Sequence, residues 1–310
     1  LRLGCLEEAL SSLDRALDLD PDSSRAWVDR GVVLREMGNG DEELACYDRA
    51  IKADPKDSIA WFNKGMALGD RGRSDEEIAC YDQALRLAPD MADAWVARGL
   101  AVGRSGNIDE ELACYDQALK ADSNHAEAWE YKGIALATKG ELEQALICLD
   151  RAIELDPANP QTWISKGQTF AMLDLPEDGL PCFTRAIELD SGQAAAWLGK
   201  GRALLELEQL DEALDCFDAT LKIRGDHQDA LIGAGEVLMS LKQPDKALSR
   251  FDLALEQDPR SPEAWAGKGA ALKMLGREQE SMKCFRLALI TGRRNAPDNR
   301  AGSKKKAGSR

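Results

Sequence analysis

Two absences limit what this chain can do: histidine is scarce, and long apolar runs are missing. The 310 residues include only two histidines, His125 and His227, which lie in distant parts of the sequence. We therefore predict no histidine acid–base pair, catalytic triad or histidine-rich metal centre, and hence no enzyme activity and no cofactor. No segment approaches the roughly 18 apolar residues of a membrane-spanning helix. The first residues of the sequence also lack the charged start and apolar core that would predict a signal peptide.

Positive charge is also in short supply over most of the chain. Lys and Arg number 40 against 55 Asp and Glu, which gives a net charge of −15. Residues 293–310 contain seven Arg or Lys and one Asp, a charge of +6, so the preceding residues sum to −21. A surface this acidic repels nucleic acid and anionic membranes, and we predict that the chain binds neither. Residues 296–310 are rich in Gly, Ser and Lys, which predicts a basic disordered tail.

The chain does contain a strict 34-residue period. One row holds tryptophan, with leucine as its single exception: Trp27, Trp61, Trp95, Trp129, Trp163, Trp197, Leu231 and Trp265. Glycine stands four residues after each of them: Gly31, Gly65, Gly99, Gly133, Gly167, Gly201, Gly235 and Gly269. An apolar residue follows three residues further on, and spacings of three, four and seven indicate one face of a helix.

A second helix follows in every period. A mostly aromatic row marks it, and an alanine row with one threonine stands three residues later. The mostly aromatic row is Tyr47, Tyr81, Tyr115, Leu149, Phe183, Phe217, Phe251 and Phe285. Proline after this helix, as in Asp54-Pro55, ends it and prepares the next one. Each period thus predicts two amphipathic helices joined by a short turn.

This pattern resembles the tetratricopeptide repeat family, in which Trp, Gly, an aromatic residue, Ala and Pro recur over 34 residues. The resemblance implies an all-α fold, a right-handed superhelical solenoid of antiparallel helix pairs, in which neighbouring pairs cover one another. We predict eight complete repeats over residues 24–295. Residues 1–23 match only the end of a repeat, which predicts a partial repeat consisting of its second helix alone.

Cysteine occupies a further row. Seven of the eight cysteines share the position just before the mostly aromatic row, and Cys5 lies outside it. The seven are Cys46, Cys80, Cys114, Cys148, Cys182, Cys216 and Cys284. A metal or redox ladder would need these thiols to meet, but packed helices are about 8–10 Å apart and a disulfide needs Cα atoms within about 7 Å. We therefore predict reduced, packed thiols of a cytoplasmic protein and no metal site.

Two charged rows depart from the family's pattern. A cation stands three residues after the tryptophan row in all repeats except that of Ala234: Arg30, Lys64, Arg98, Lys132, Lys166, Lys200 and Lys268. Glutamate replaces the small residue opposite the glycine at Glu43, Glu77 and Glu111. A carboxylate there is costly unless it is paired, so we expect Glu–cation pairs such as Glu77 with Lys64. The alternative is that the glutamates turn out to water.

The resemblance also implies a ligand-binding surface. In this family the first helices line a concave face, and the residue after each tryptophan position and the one four further on commonly meet the ligand. The corresponding groove residues are Val28, Val32, Phe62, Met66, Val96, Leu100, Ile134, Ile164, Leu198 and Ile232. The expected polar border is Asp70, Arg104, Glu127 and Glu130, with Gly69 and Gly103 leaving room for a ligand backbone. Such a strip suits an extended or helical peptide; the alternative is that these side chains only pack between adjacent first helices.

We predict a non-enzymatic scaffold or adaptor that binds protein or peptide partners in this groove. A carboxylate clamp for chaperone tails is not expected, because only the asparagine among Val28, Val32, Asn63, Asp93 and Ala97 matches the family's clamp. One alternative is that the repeats recruit substrates for a larger enzyme, such as a glycosyltransferase. Another is self-association through uncapped ends, since no polar capping helix is evident after the last pair.

Overall fold

The structure is a computed structural model that describes residues 2–295, so the expected disordered tail at 296–310 lies outside the described residues. Seventeen α-helices and no β-strand occur in the described range, which confirms the predicted all-α class. The helices fall into two compact units, unit 1 (Leu1–Pro157) and unit 2 (Ala158–Arg310). No helix of the described residues is long and apolar enough to cross a membrane.

Unit 1 contains the first nine helices. They are α1 (Arg2–Leu19), α2 (Ser24–Glu36), α3 (Gly40–Ala53), α4 (Ser58–Gly69), α5 (Ser74–Leu87), α6 (Ala92–Gly103), α7 (Ile108–Ala121), α8 (Ala126–Lys139) and α9 (Leu142–Leu155). From α2 onwards, the first and second helices of each repeat pack as pairs, and each second helix up to α7 also packs on the next first helix. The first helices α2, α4, α6 and α8 touch in succession and so form one continuous face of this unit.

Unit 2 repeats the arrangement with four complete pairs. Its helices are α10 (Pro160–Met172), α11 (Pro176–Leu189), α12 (Ala194–Glu206), α13 (Leu210–Ile223), α14 (Gln228–Ser240), α15 (Pro244–Gln257), α16 (Pro262–Met274) and α17 (Glu278–Asn295). The first helices α10, α12, α14 and α16 again touch one after another. Each unit therefore presents its own row of first helices to any ligand.

The glycine row lets the two helices of one repeat approach each other. A Cβ atom added at Gly31 would lie 2.5 Å from the ring of Tyr47 on the partner helix, and one added at Gly99 would lie 2.6 Å from Tyr115. Both rings are fully buried. Because any side chain at the glycine would collide with the ring, the glycine row and the mostly aromatic row form one contact.

The tryptophan row fastens each first helix to the loop that precedes it. The indole N–H of Trp27 donates to the carbonyl oxygen of Pro21 at 2.8 Å, and Trp61 donates in the same way to Pro55 at 3.1 Å. The same bond, to the residue six positions earlier, occurs for Trp95, Trp129, Trp197 and Trp265. These half-buried rings thus fix where one repeat ends and the next begins.

Five side chains of the cation row pair with aspartate rather than with the glutamate row. Lys64 Nζ lies 2.7 Å from Asp48 Oδ1, on the second helix of the preceding repeat. The same spacing recurs in Arg30–Asp14, Arg98–Asp82, Lys132–Asp116 and Lys268–Asp252. The expected pair of Lys64 with Glu77 is therefore wrong. The reason is geometric, because the cations lie beside the preceding repeat, where the aspartate is in reach.

A left-handed residue is needed in the turn between the two helices of a repeat. Glycine supplies it in five turns, at Gly38, Gly72, Gly106, Gly140 and Gly276, with φ between 69° and 90°. In three of the four turns of unit 2, residues with side chains adopt it instead: Asp174 at φ 61°, Glu208 at 57° and Lys242 at 57°. These three positions carry local strain, because a side chain disfavours the left-handed conformation.

The seven cysteines of the row are buried and form no disulfide, whereas Cys5 is exposed. Burial raises the pKa of the Cys216 thiol to about 11, and it raises the pKa of the Cys80 thiol as well. Arg30 Nη1 donates to the Cys46 sulfur at 3.1 Å. Within the described residues, no three His, Cys, Asp or Glu side chains converge in a way that could hold a metal ion. Cys216 and Cys148 pack in apolar core clusters, so these side chains contribute to the packing of their repeats.

Candidate functional site

A cavity of about 400 Å³ opens on the first-helix face of unit 1. Helices α4, α6 and α8 supply most of its wall, and α2 and α5 complete it. The residues that line it are Arg35, Phe62, Met66, Gly69, Asp70, Glu77, Tyr81, Asp93, Val96, Ala97, Leu100, Arg104, Glu127 and Tyr131. Four predicted groove residues, Phe62, Met66, Val96 and Leu100, thus lie together in one cavity.

The floor of this cavity is apolar and aromatic. Phe62 and Leu100 are half-buried, so part of each side chain faces the opening. The Phe62 ring packs against Tyr81 with 5.9 Å between ring centroids, and Tyr131 stacks on Tyr115 at 6.1 Å. Val96 is only 4% exposed and supports the floor from below. Rings held by other rings present a preformed apolar surface, which is typical of ligand pockets.

Charged side chains border the floor, and most of the positive charge is already neutralised. Arg35 Nη2 lies 2.9 Å from Asp70 Oδ2, and Arg104 is paired with Glu77. On the α6–α8 side, His125 Nε2 lies 3.0 Å from Asp93 Oδ1, and the exposed Glu127 lies nearby in the cavity wall. With both arginines paired, the wall of the cavity retains a negative balance from its remaining carboxylates.

Glu77 is the charged residue that most shapes the cavity. It is only 3% exposed, and its carboxylate accepts a hydrogen bond from the Tyr81 hydroxyl at 3.3 Å besides the ion pair with Arg104. Burial and the neighbouring Glu77 charge raise the pKa of Tyr81 above its usual range. The hydroxyl therefore stays protonated and continues to donate to the carboxylate.

The two glycines expected to leave space for a ligand backbone do not do so. A Cβ atom at Gly103 would lie 2.6 Å from the Glu111 carboxylate, and the Glu77 carboxylate covers Gly69 in the same way. This corrects the expectation from the sequence. The glycines are needed because a glutamate of the same repeat packs directly on the helix backbone, and the room they provide is already filled.

The other two glutamates of the row have weaker partners. Glu43 is buried, with its Oε1 4.0 Å from Arg35 Nε and its Oε2 3.7 Å from Arg71 Nη1. Desolvation raises the pKa of its carboxyl despite those charges. The Glu111 carboxylate accepts from the Tyr115 hydroxyl at 3.0 Å, and burial raises its pKa too. The expected pairing of this row with cations is thus met in Glu43 and Glu77, but by arginines outside the cation row.

Several predicted groove residues lie elsewhere. Val28 packs in a core cluster with Tyr47, and Ile164 is fully buried in unit 2. Neither side chain offers surface to a ligand in this structure. Glu130, expected on the border, is buried at 5% exposed. Val32 is 38% exposed and Ile134 half-buried, but neither lines the cavity of unit 1.

The two remaining groove residues lie in unit 2. Leu198 is half-buried and lines a cavity of about 400 Å³ between α10 and α12. Ile232 is half-buried and lines a neighbouring cavity of about 560 Å³ on α12 and α14. The predicted strip is therefore divided between separate cavities of the two units.

Sequence reasoning missed Arg35, Tyr81 and Tyr131 as cavity residues. Tyr131 did carry a signal, because the equivalent position of the following repeats holds Ser165 and then glycine. A single large ring in a row of small residues marks the place where a repeat fills space differently. Arg35 and Tyr81 gave no comparable signal, because their role depends on the direction in which side chains of neighbouring repeats turn.

Comparison with known families explains the repeated helix pair. One profile of the tetratricopeptide repeat matches residues 1–58, 34–92, 62–122, 96–160 and 167–230, and a second matches residues 217–272. The chain belongs to the tetratricopeptide repeat family. Repeats of this family are protein-interaction scaffolds, and this tetratricopeptide repeat chain is one in that general sense. No curated protein matches its sequence.

Solved structures with the same fold cover different shares of the chain. YrrB, described as a TPR protein with an unusual peptide-binding site, is 26% identical over 59% of this chain and 95% of its own, with a TM-score of 0.51. The Cut9-Hcn1 hetero-tetramer of APC/C matches with a TM-score of 0.68 and 17% identity, and the match covers 86% of this chain and 52% of that one. PilF of Pseudomonas aeruginosa matches with a TM-score of 0.61 and 20% identity, and the match covers 67% of this chain and 94% of that one. The last two bear on the fold alone.

Proposed function

We propose that the cavity of unit 1 binds a short peptide segment of a partner protein, so that the chain acts as a non-enzymatic adaptor. The observation that carries this proposal is the half-buried apolar floor of Phe62, Met66 and Leu100, which spans two successive first helices and stays open. A cavity of about 400 Å³ is within the size range of ligand sites and suits one or two side chains of a peptide. The similarity to YrrB, described as having a peptide-binding site, supports the same kind of ligand.

The charges of the cavity wall select the ligand further. Since Arg35 and Arg104 are held by carboxylates, the α6–α8 side offers Asp93 and Glu127 to the incoming segment. A Lys or Arg next to an apolar anchor complements that side, whereas a carboxylate terminus is repelled there. We therefore infer a ligand with an aliphatic or aromatic anchor and an adjacent basic residue, and not an acidic chaperone tail.

Selection from a random peptide library on the full chain tests this proposal. Recovered peptides should combine an apolar anchor with a neighbouring Lys or Arg. Truncating the floor by Phe62→Ala or Leu100→Ala should weaken the best peptide by about 2 kcal/mol, roughly 30-fold in Kd. Asp93→Asn should instead lower the association rate and its salt dependence, because it lies at the charged edge.

Ile59→Ala is the matched control for the floor variants. Ile59 lies on α4 as Phe62 does and is 52% exposed, but it does not line the cavity. Its truncation should leave peptide affinity unchanged. If the folded Phe62→Ala and Leu100→Ala chains bind as tightly as the parent, the cavity is not the binding site. Recruitment of substrates for a larger enzyme would use the same cavity and stays a prediction.

A further inference from the structure

Unit 2 holds an acidic cavity on its own first helices, separate from the proposed peptide site. Its volume is about 560 Å³, and Leu205 and Ile232 contribute apolar surface. Arg202 Nη2 is paired with Asp229 at 3.2 Å, and three exposed glutamates of the wall remain: Glu206, Glu236 and Glu263. The neighbouring cavity of about 400 Å³ shares Arg202 and Glu206 with it and adds an exposed methionine. This surface suits a basic segment with apolar stretches of side chain.

The electrostatic state of the wall points the same way. Partial desolvation in the cavity wall raises the pKa of the Glu236 carboxyl although much of the side chain is exposed, and Arg202 only partly counteracts this. Arg202 is itself neutralised by Asp229, so the three glutamates share no further cation of the cavity wall. An added positive charge would therefore be attracted by several carboxylates at once.

The last helix of the described residues, α17, packs on α16, which contributes Glu263 to the wall of this cavity. On α17, a Cβ atom at Gly292 would lie 3.7 Å from the side chain of Pro262, the residue that starts α16 and precedes Glu263 of the cavity wall. Residues 296–310 start four positions after Gly292 and contain Arg300, Lys304, Lys305, Lys306 and Arg310 against one aspartate. Fifteen residues reach up to about 50 Å, and neighbouring first helices are only about 8–10 Å apart.

We propose that residues 296–310 bind in the acidic cavity of unit 2 of the same molecule, with Lys304–Lys306 against Glu206, Glu236 and Glu263. The attachment to α17 makes this binding effective even when each contact is weak. A short tether gives an effective concentration of about 1 mM, so an intrinsic Kd of about 1 mM already fills roughly half of the cavities. A free basic peptide would have to compete with this attached one.

Paramagnetic broadening in the full chain tests the proposal. A spin label at Ser309→Cys, with Cys5→Ser to remove the exposed thiol, is combined with isotope-labelled isoleucine methyl groups; the other seven cysteines are buried. The Ile232 methyl signal should lose roughly half of its intensity or more, in proportion to occupancy. Replacing Lys304, Lys305 and Lys306 by Gln should restore most of that signal, as should about 0.5 M salt.

Two charge-matched variants make the test specific. Glu206→Gln, Glu236→Gln and Glu263→Gln together should restore the signal as the lysine variant does. Asp211→Asn, Glu212→Gln and Asp245→Asn change the net charge equally at exposed residues of unit 2 outside the cavity wall, and should leave the broadening in place. If the cavity variant does not fold, the lysine variant still decides.

Three results would overturn the proposal. Equal broadening in the parent and the lysine variant would mean that only the tether brings the label near. Equal loss of the broadening in both triple carboxylate variants would mean that the whole acidic surface, and not the cavity, attracts the basic segment. Broadening of the Ile232 signal that is as strong in a mixture of spin-labelled and isotope-labelled chains as in the doubly labelled chain would assign the cavity to the tail of a second copy.

Discussion

Unit 1 and unit 2 solve the same packing problem with different side chains. In unit 1 the buried ring is Tyr47, Tyr81 or Tyr115, and a glutamate stands four residues before each of them. In unit 2 the ring is phenylalanine, and the position four residues earlier holds Gly179, Ala213, Ala247 and Ser281. Leu149, the one aliphatic member of the row, has Ala145 in that place. Tyrosine thus occurs only together with glutamate.

The pairing has a physical reason. A buried hydroxyl needs a hydrogen-bond partner, and the Glu77 and Glu111 carboxylates accept from Tyr81 and Tyr115. Phenylalanine needs none, so a small residue suffices. Three of the four rings of unit 2 are instead enclosed by glycine on both sides: Phe217, for example, meets Gly201 of its own repeat and Gly233 of the next. Phe285 of the last repeat meets Gly269 alone and is 38% exposed. Unit 1 therefore keeps a carboxylate beside each tyrosine ring, while the phenylalanine rings of unit 2 need no polar partner.

The largest expected effect on stability concerns Gly233, which faces the Phe217 ring from the following repeat. A Cβ atom at Gly233 would lie 2.5 Å from the fully buried ring of Phe217. Gly233→Leu should therefore destabilise the fold by about 3 kcal/mol, the upper range for overpacking of a core. Hydrogen exchange should show the loss in α13 and α14 first, because these helices hold the contact.

Ala97 is the matched position in unit 1. It already carries a Cβ atom, and its side chain lines the open cavity rather than a closed contact. Ala97→Leu should change stability by less than about 1 kcal/mol and reduce peptide binding instead. Equal destabilisation by the two leucines would show that both units close their rings in the same way and would remove the contrast between them.

The next effect tests the buried charge of unit 1. Arg104→Met should cost about 1–2 kcal/mol, less than the 3–5 kcal/mol of a fully buried broken pair, because Arg104 is half exposed. In a Glu77→Ala background the same change should cost little. Lys64→Met, whose partner is Asp48, should show no coupling to Glu77. Denaturant unfolding of the single and double variants measures both couplings, and a coupling through Lys64 alone would contradict the structure.

The sequence predicted the repeated helix pairs well because each pair is defined by local rows. The glycine row, the mostly aromatic row and the tryptophan row all share one period, and each of them marks a contact within or next to a single repeat. The floor residues Phe62, Met66 and Leu100 were predicted for the same reason.

Charge partners could not be predicted in this way. Glu77 pairs with Arg104 of the following repeat, and this pair depends on where two long side chains turn. The filled space above Gly69 follows from that same side chain, so it too was missed. Burial of Ile164 depends on packing against Ala186 and Ala196, which the groove pattern does not encode.

A smaller effect concerns the turns, where the units also differ. Lys242 adopts φ 57° in unit 2, whereas Gly72 holds the equivalent conformation in unit 1. Lys242→Gly should stabilise the chain by about 1 kcal/mol, because it removes the left-handed strain of a side chain. Gly72→Ala should destabilise it by a similar amount, about 1 kcal/mol. Thermal unfolding would measure both shifts, and shifts of the same sign would show that turn strain does not distinguish the two units.

The smallest effect is a pH dependence of stability at Glu111 of unit 1. Burial raises the pKa of Glu111 above its ordinary value of 4.5, so the folded chain holds this proton more tightly than the unfolded chain does. The corresponding stability is fully present below the ordinary carboxyl pKa and is lost as the pH rises through the folded-state value.

Glu111→Gln keeps an acceptor for the Tyr115 hydroxyl and removes the titration. The variant should therefore be more stable than the parent at neutral pH, by less than about 1 kcal/mol because the side chain is only partly buried. Hydrogen exchange of α7 measured on both sides of that pH range should show this difference shrink in acid. In α13, Ala213 and Phe217 occupy the equivalent positions. Hydrogen exchange of α13 should therefore be the same in the Glu111→Gln variant and in the parent at either pH. A pH-independent difference at α7 would mean that the Glu111 carboxylate is solvated, and the charge contrast between the two units would then rest on Glu43 and Glu77 alone.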